Sequence, residues 1–292
     1  FFAYLWAGMG PFDALGHAFA SVATGGFSTH DASIGHYNSI HVELVAIALM
    51  WFGSVSFALH FSALRNIHRG KFSLAVYLND PEFRFYNAFL LAIIALVTFG
   101  LWWHNAYDSP GESLRHAAFQ SVSYITSTGF ATQDFAQWPS FVPWLLLFAF
   151  FFGGCAGSTS GGMKALRILL LVKQSLREFQ RLTHPNGVFL VKLGKQPVSE
   201  GVVEAVWGFV SLYIFVTLVL SLLLMTTGLE FDIAFSAAAT AINNTGPGLG
   251  PLSSNVSSLT DPAVWIMSFG MLVGRLEVFT VLILLTPMFW RR

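Results

Sequence analysis

A short polar turn containing glycine occurs three times in the chain, each time between two apolar stretches. The sequences are ATGGFST at residues 23–29 (turn 1), YITSTGFAT at 124–132 (turn 2) and NNTGPGLG at 243–250 (turn 3). Aligning one glycine from each turn places Gly26, Gly129 and Gly246 in register, and a short amphipathic segment precedes every turn. The chain therefore contains an internal repeat of apolar span, short segment, glycine turn and second apolar span.

The composition places this repeat in a membrane. Of the 292 residues, 54% are hydrophobic and only 10% are charged, and the mean hydropathy is +0.62, which excludes an ordinary soluble domain. The 15 basic and 15 acidic residues cancel, so bulk charge gives no indication of a nucleic-acid partner. The single cysteine, Cys155, excludes an internal disulfide and a cysteine metal cluster within this sequence.

The glycine turns predict a path for cations. Non-helical backbone survives inside a bilayer only where it is buried in protein or lines a water-filled path. Glycine permits positive φ and close approach of backbone, so successive carbonyl oxygens can turn toward one axis and replace the water shell of a dehydrated cation. The alternative for any single turn is an ordinary helix break or packing point, since glycine is common in membrane helices.

The distribution of charge predicts how the repeat crosses the membrane. If the short segments enter and return on the same face, residues 65–85, 163–200 and 291–292 share one side and hold 13 of the 15 lysines and arginines. That side is then cytoplasmic. The short segments become re-entrant half-helices, whose C-terminal ends favour a cation at mid-membrane. Nine acidic residues fall on the outer side, where they would concentrate cations: Asp13, Asp31, Glu43, Asp108, Glu112, Asp134, Glu230, Asp232 and Asp261.

Two further features lie within the apolar stretches. The run GGCAGSTSGG at 153–162 breaks the helix that begins near Gln137, and helical character is predicted to resume at Met163. The alternative is a small-residue packing surface between helices. Arg275 falls near the centre of the last span, where a charge costs at least about 2.5 kcal/mol, so it needs a partner. The candidates are carbonyls of the 153–162 run, Glu277, or an acid close to the turns.

These motifs together resemble one known family. The sequence resembles the Trk/Ktr/HKT superfamily of potassium transporters, and most of all its bacterial TrkH-type membrane subunits. The resemblance is carried by the three turns, by GGCAGSTSGGMKALR at 153–167 and by GRLEVFT at 274–280. The resemblance covers essentially the whole chain. That family has four such repeats around one pore, and this sequence matches the last three, with the short first apolar run interpreted as the end of a truncated span.

The resemblance implies an all-α integral membrane protein. Its repeated units of span, re-entrant pore helix, filter turn and span surround a pseudo-fourfold pore, and the first repeat is missing. The implied divisions follow in chain order: a second pore repeat at 1–64, a cytoplasmic linker at 65–85, a third repeat at 86–182 containing a gating loop at 153–162, a cytoplasmic linker at 183–200, and a fourth repeat at 201–292.

The resemblance also implies a function, which is potassium uptake across the bacterial cytoplasmic (inner) membrane by a multi-pass protein that is not an enzyme and needs no bound cofactor. The implied filter residues are Thr24, Gly25, Gly26, Ser127, Thr128, Gly129, Asn244, Thr245 and Gly246. Glycine rather than serine at the three aligned positions favours K⁺ over Na⁺, with Rb⁺ as a further ion.

The 153–162 loop would be the gate. Its implied residues are Gly153, Gly154, Gly157, Ser158, Gly161, Gly162 and Lys164, with Arg275 as the charged partner. For Lys164 and Arg167 a gating role and simple extension to the inner surface stay open. The implied partners are membrane lipid, a second copy in a homodimer, and a cytosolic nucleotide-binding regulatory ring of the TrkA type on the basic face, without nucleic acid.

Two other functions compete with this interpretation. An ion-coupled secondary transporter, or symporter, predicts inverted repeats and intramembrane acids near the breaks, whereas these repeats share one orientation and the acids cluster at outer ends. A membrane-embedded enzyme would use Ser158 or Cys155, but the loop lacks G-x-S-x-G and a nearby histidine. A phosphate-binding loop at 157–162 fails as well, because Met163 stands where lysine is required.

Overall fold

The computed structural model describes residues 1–68, 74–139, 141–253, 255–284 and 286–291. Three of the basic residues expected on the cytoplasmic side lie outside the described residues, namely Arg69, Lys71 and Arg292. The helices are α1 (Phe2–Trp6), α2 (Pro11–Val22), α3 (Ile40–Ser54), α4 (Phe57–His68), α5 (Ala75–Leu78), α6 (Pro81–Trp103), α7 (Pro110–Ile125), α8 (Phe141–Phe150), α9 (Ala165–Thr183), α10 (Glu200–Met225), α11 (Phe231–Asn243), α12 (Asp261–Arg275), α13 (Val278–Leu284) and α14 (Pro287–Trp290).

Among the described residues, two helices are long and apolar enough to cross a membrane by length and composition, namely α6 and α10. The α6 helix starts sharply because the Asp80 carboxylate accepts the Phe83 N–H at 2.8 Å and Pro81 occupies the first helical position. Two helix pairs also qualify if each is counted as one span: α3 with α4 bends by 95°, and α12 with α13 by 108°.

The apolar runs at 41–64 and 262–289 predict continuous spans, and these two bends correct that prediction. At the first bend, Val55 is extended, and the carbonyl of Ser54 accepts the Cys155 N–H at 2.9 Å from a distant loop. At the second, Glu277 has φ +63°, in the left-handed region that stops a right-handed helix. Neither break contains proline or glycine, the residues that mark helix ends in a sequence.

Each turn follows a short helix, which is α2, α7 or α11. These helices begin at a proline or next to an acid and carry an acidic residue in the first turn, which suits the positive end of the helix dipole. They pack between longer elements: α2 on α3, α7 on α6, and α11 on α10 and α12. The Arg115 guanidinium on α7 also makes two 2.7 Å contacts with the buried Glu43 carboxylate on α3.

The α9 helix leads from the 153–162 loop to a small hairpin and then to α10. In the hairpin, β1 (Lys192–Leu193) pairs antiparallel with β2 (Gln196–Pro197). Arg177 on α9 is buried and reaches the Glu200 carboxylate through both terminal nitrogens, at 2.5 and 3.0 Å. This pair fixes the end of α9 to the start of α10.

Candidate functional site

The three turns begin with the same helix-ending geometry. In each, a residue with left-handed φ follows the helix: Thr24 at +48°, Ser127 at +52° and Asn244 at +54°. Its N–H bonds the carbonyl three residues back, and the next N–H bonds the carbonyl five residues back. The second of these bonds joins Gly25 to Ala20 at 2.7 Å, Thr128 to Ser123 at 2.8 Å and Thr245 to Thr240 at 3.1 Å. This is the Schellman arrangement, repeated three times.

The glycine two positions further on returns to positive φ. The values are +69° at Gly26, +83° at Gly129 and +105° at Gly246, whereas the residue between has a φ outside this region. Alternation of φ sign along consecutive residues brings their carbonyl groups to one side of the chain. The sequence alignment of these glycines thus corresponds to one shared backbone conformation.

The turns lie side by side in the order of the sequence. A methyl group added to Gly26 would overlap the Thr128 carbonyl oxygen, and one added to Gly129 would overlap the Thr245 carbonyl oxygen. Each contact joins the glycine of one turn to the residue before the glycine of the next. The structure therefore brings together the nine residues that sequence reasoning singled out, in a head-to-tail arrangement.

The arrangement is an arc with two free ends among the described residues. A methyl group on Gly246 of turn 3 would meet nothing within 4 Å. At the other end, the nearest neighbours of a methyl group on Gly25 belong to its own repeat and are the Phe27 ring and the Ala20 carbonyl oxygen. Phe27 itself is 82% exposed. One side of the arc is thus open.

The 153–162 loop lies against the C-terminal ends of all three short helices. The Thr159 hydroxyl is 3.1 Å from the carbonyl oxygen of Val22, the last residue of α2, and 3.1 Å from the Thr24 hydroxyl. The Gly161 N–H donates to the Ser127 hydroxyl just after α7. Gly161 also packs on the Asn243 carbonyl at the end of α11. The loop thus touches every repeat at the point where its turn starts.

The glycines allow the first and last residues of the 153–162 loop to pack against each other. Gly153, Gly157 and Gly162 have φ between +70° and +74°. Gly153 packs against the backbone of Gly161 and Gly162, where any side chain would overlap. The Ser158 hydroxyl stays within the loop and donates to the Cys155 carbonyl at 2.6 Å. Helical structure resumes at Ala165, two residues later than the sequence predicts.

A carboxylate that was not predicted from the sequence joins the loop to the start of α9. Glu82, in the first turn of α6 and buried, accepts the Ala156 N–H at 2.6 Å and the Leu166 N–H at 3.1 Å through the same oxygen. Its signal in the sequence is weak, because an acid in the first turn of a helix is ordinarily explained by the helix dipole.

Three positive side chains surround a cavity of about 180 Å³ on the loop. The Arg275 guanidinium donates to the Thr159 carbonyl at 3.3 Å, and the Lys164 ammonium donates to the Ser160 carbonyl. Arg167 instead pairs with Glu277 at 2.8 Å and lies 3.9 Å above the Phe209 ring. Among the candidate partners of Arg275, the one that it contacts in the described structure is therefore a carbonyl of the 153–162 loop.

Comparisons with known proteins agree over nearly the whole chain. The family model for TrkH, a cation transport protein, matches residues 4–292. The Trk system potassium uptake protein TrkH of Salmonella typhimurium is 48% identical over 98% of this chain and 59% of its own length. The protein of that name from Halomonas elongata is 46% identical over 99% of this chain and 59% of its own length. A crystal structure of the potassium transporter TrkH from Vibrio parahaemolyticus matches with a TM-score of 0.93 and 46% identity, over 99% of this chain and 61% of that one. The chain therefore spans about three fifths of the length of these relatives.

Proposed function

The chain belongs to the TrkH family of cation transport proteins, and from this membership we propose that it forms most of the ion path of a potassium uptake protein in the bacterial cytoplasmic membrane. The fold is that of an all-α, multi-pass membrane protein. One observation carries the proposal: three turns of one conformation lie head to tail on a single arc. The family is one of transport proteins, and no enzymatic activity is proposed.

The filter is proposed to consist of the nine residues at 24–26, 127–129 and 244–246. Their carbonyl oxygens replace the water around a dehydrated K⁺ ion. The alternating φ signs support this, because they direct carbonyl groups to one side. The glycine contacts support it as well, since a side chain at Gly26 or Gly129 would occupy the space of the neighbouring carbonyl. The C-terminal ends of α2, α7 and α11 add partial negative charge at the same place.

A fourth segment is proposed to close the arc between Gly246 and Gly25. Two observations support it: Gly246 lacks the neighbouring carbonyl that Gly26 and Gly129 have, and the chain spans 59% of the length of the relatives. A ring of carbonyls is needed to surround a dehydrated cation, and three turns leave one side open.

The 153–162 loop is proposed to be the gate, with Lys164 and Arg275 as its charged supports. The loop lies against the starts of all three turns, so it stands in the way of an ion leaving the arc on that side. The cavity next to it has three positive side chains and one negative, which opposes the passage of a cation by charge repulsion. Opening must therefore displace the loop together with these charges.

The filter proposal is tested by uptake of Rb⁺ into liposomes containing the complete protein. Gly129→Ala adds a methyl group where the Thr245 carbonyl lies and where φ is +83°, so uptake should fall to background. Gly201→Ala is the matched control, because Gly201 lies in α10 with nothing within 4 Å of the new methyl group, and uptake should stay at the wild-type rate. Wild-type uptake by the Gly129→Ala protein would contradict the proposal.

Ion-coupled transport is retained as a second candidate because α3–α4 and α12–α13 are bent spans, a feature of secondary transporters. The discriminating measurement is Rb⁺ uptake driven by its own gradient alone. Uptake without a Na⁺ or proton gradient favours a gated pore. Uptake that depends on one of these gradients with a fixed stoichiometry favours the symporter.

A homodimer and a cytosolic nucleotide-binding ring of the TrkA type are proposed as partners. Lys173, Arg181, Lys192 and Lys195 support the ring, because they give α9 and the hairpin a basic character that an acidic partner surface would match. Replacing Lys192 and Lys195 with Glu should weaken binding of the ring in a pull-down with the detergent-solubilised protein. Undiminished binding would exclude the hairpin as the docking point.

A further inference from the structure

Each turn has one residue in a left-handed conformation close to the end of its short helix, and this conformation is sterically unfavourable for most side chains. A helix that ends in the Schellman arrangement normally has glycine at the left-handed position, because other residues bring Cβ too close to the following carbonyl. Here that position holds Thr24, Ser127 and Asn244, with φ between +48° and +54°. Strain of this kind persists only where the surroundings compensate for it, so the contacts of these three side chains indicate what they are for.

Two of the three side chains contact the loop. The Thr24 hydroxyl lies 3.1 Å from the Thr159 hydroxyl and 2.8 Å from the Ala23 carbonyl oxygen, and the Ser127 hydroxyl accepts the Gly161 N–H. The third, Asn244, donates through its amide nitrogen to the Met271 carbonyl at 3.2 Å, which belongs to α12. Turns 1 and 2 are therefore bonded to the loop, whereas turn 3 is bonded to a helix.

Thr159 is the centre of the contact with turn 1. Besides Thr24, its hydroxyl lies 3.0 Å from the Gly53 carbonyl and 3.1 Å from the Val22 carbonyl, and its N–H donates to Gly53 at 3.2 Å. This one residue thus joins the end of α2, the end of α3 and Thr24 of turn 1. Movement of the loop away from the turns breaks all of these bonds together.

We propose that the 153–162 loop holds turns 1 and 2 in their ion-binding conformation through Thr159 and Gly161, so that cation binding in the turns and opening of the loop are thermodynamically coupled. This inference rests on the proposed filter and gate and adds how one regulates the other. When the loop leaves, Thr24 and Ser127 lose the contacts that compensate for their strained backbone, and the turns hold the cation less tightly.

The coupling works equally in the other direction. If loop opening weakens cation binding, then cation binding must oppose loop opening by the same factor. K⁺ or Rb⁺ in the turns therefore keeps the loop closed, and the ion is released as the path opens. Thr159 is a positioning residue in this scheme, since it acts on the ion through turn 1.

The chain contains its own reporter of loop opening. Cys155 is the only cysteine in the sequence, lies inside the loop and is fully buried. The complete protein, with any cysteine outside these residues replaced by serine, is reconstituted in liposomes and treated with a small methanethiosulfonate reagent. The modification rate of Cys155 is measured in K⁺ and in N-methyl-D-glucamine. The wild type should react several-fold more slowly in K⁺.

Three variants test the residues that carry the coupling. Thr159→Val and Thr24→Val keep the side-chain shape and remove a hydroxyl, so each should abolish the difference between the two cations and raise the KM for Rb⁺ uptake. The double variant should have the same KM for Rb⁺ uptake and the same Cys155 modification rates as either single variant. Thr217→Val is the matched control, because Thr217 is buried in α10 and its hydroxyl donates to the Tyr213 carbonyl of the same helix, away from the loop. It should retain the slower modification in K⁺.

A fourth variant separates the hydrogen bond from the backbone. Thr24→Gly relieves the left-handed strain and also removes the hydroxyl, so the protein should fold well and still lose the effect of K⁺ on Cys155. Retention of that effect by Thr24→Gly, or equal Cys155 rates in both cations for a wild type that takes up Rb⁺, would overturn the coupling and leave the proposed function intact. A wild type that takes up no Rb⁺ would instead overturn the proposed function.

Discussion

At the scale of single residues, Glu82 fixes the position of the loop relative to α6 from outside the loop. One oxygen of its buried carboxylate accepts the N–H groups of Ala156 and Leu166, which lie on either side of the loop's centre. Because these N–H groups have no other acceptor at that point, the loop's position relative to α6 depends on this oxygen. The role requires an acceptor atom and does not require a negative charge.

Substitution of Glu82 should therefore depend on whether an acceptor remains. Glu82→Ala leaves two buried N–H groups without an acceptor, at about 1–3 kcal/mol each, and should lower the melting temperature of the purified protein and increase leak of Rb⁺. Glu82→Gln keeps a carbonyl oxygen in the same place and should lie much closer to the wild type in both measurements. Equal damage from the two variants would show that the charge, and not the acceptor, is what matters.

At the scale of helices and loops, the two bends arise in different ways. The bend between α3 and α4 is supported from outside, because the carbonyls of Gly53 and Ser54 bond the loop. The bend between α12 and α13 is local, because Glu277 adopts left-handed φ, and its side chain pairs with Arg167 while remaining 52% exposed.

The left-handed backbone at Glu277 predicts how the thermal stabilities of two Glu277 variants should rank. The exposed ion pair contributes at most about 1 kcal/mol, whereas left-handed backbone costs a non-glycine residue roughly 1–2 kcal/mol. Glu277→Gly removes both terms and should melt at or slightly above the wild-type temperature. Glu277→Ala removes only the ion pair and should melt below the glycine variant. The reverse order in thermal unfolding of the purified protein would refute a local origin for this bend.

Sequence patterns predicted the elements whose ends are encoded locally. The short helices α2 and α7 begin at prolines, with acids in the first turn, and α6 and α10 are long apolar runs, so their existence followed from nearby residues. The first bend did not, since it depends on Cys155 and Thr159, about a hundred residues away in the chain. The second did not either, because it is set by left-handed φ at a glutamate, a residue type that does not indicate this conformation. For the same reason, the contacts of Glu82 and Thr159 have no local signal.

At the scale of the whole molecule, the sequence predicted which turns come together but not how they touch. The register of Gly26, Gly129 and Gly246 follows from the repeat. The head-to-tail contact does not, because it depends on the angle between neighbouring repeats. That contact, which joins the glycine of one turn to the carbonyl of the next, is what makes the two ends of the arc different from each other.

The open end of the arc gives a prediction for the complete protein. If a fourth turn meets Gly246 as turn 3 meets Gly129, then Gly246→Ala should reduce Rb⁺ uptake as severely as Gly129→Ala. Gly228→Ala is the matched control, because Gly228 also has positive φ, at +95°, and nothing within 4 Å. Gly228→Ala should lower stability through its strained backbone and retain Rb⁺ uptake. An uptake by Gly246→Ala equal to that of Gly228→Ala would mean that no such neighbour is present.

The contact between each glycine and the adjoining repeat also limits how the repeats can diverge in evolution. Linkers and outward helix faces touch no other repeat at the turns, so substitutions there can accumulate in one repeat alone. An enlarged residue at Gly26 needs a compensating retreat near Thr128, and one at Gly129 needs the same near Thr245. A substitution at the glycine of one repeat therefore depends on a matching change at one carbonyl of the next repeat. We expect the turns to stay more similar among the repeats than the rest of the sequence does.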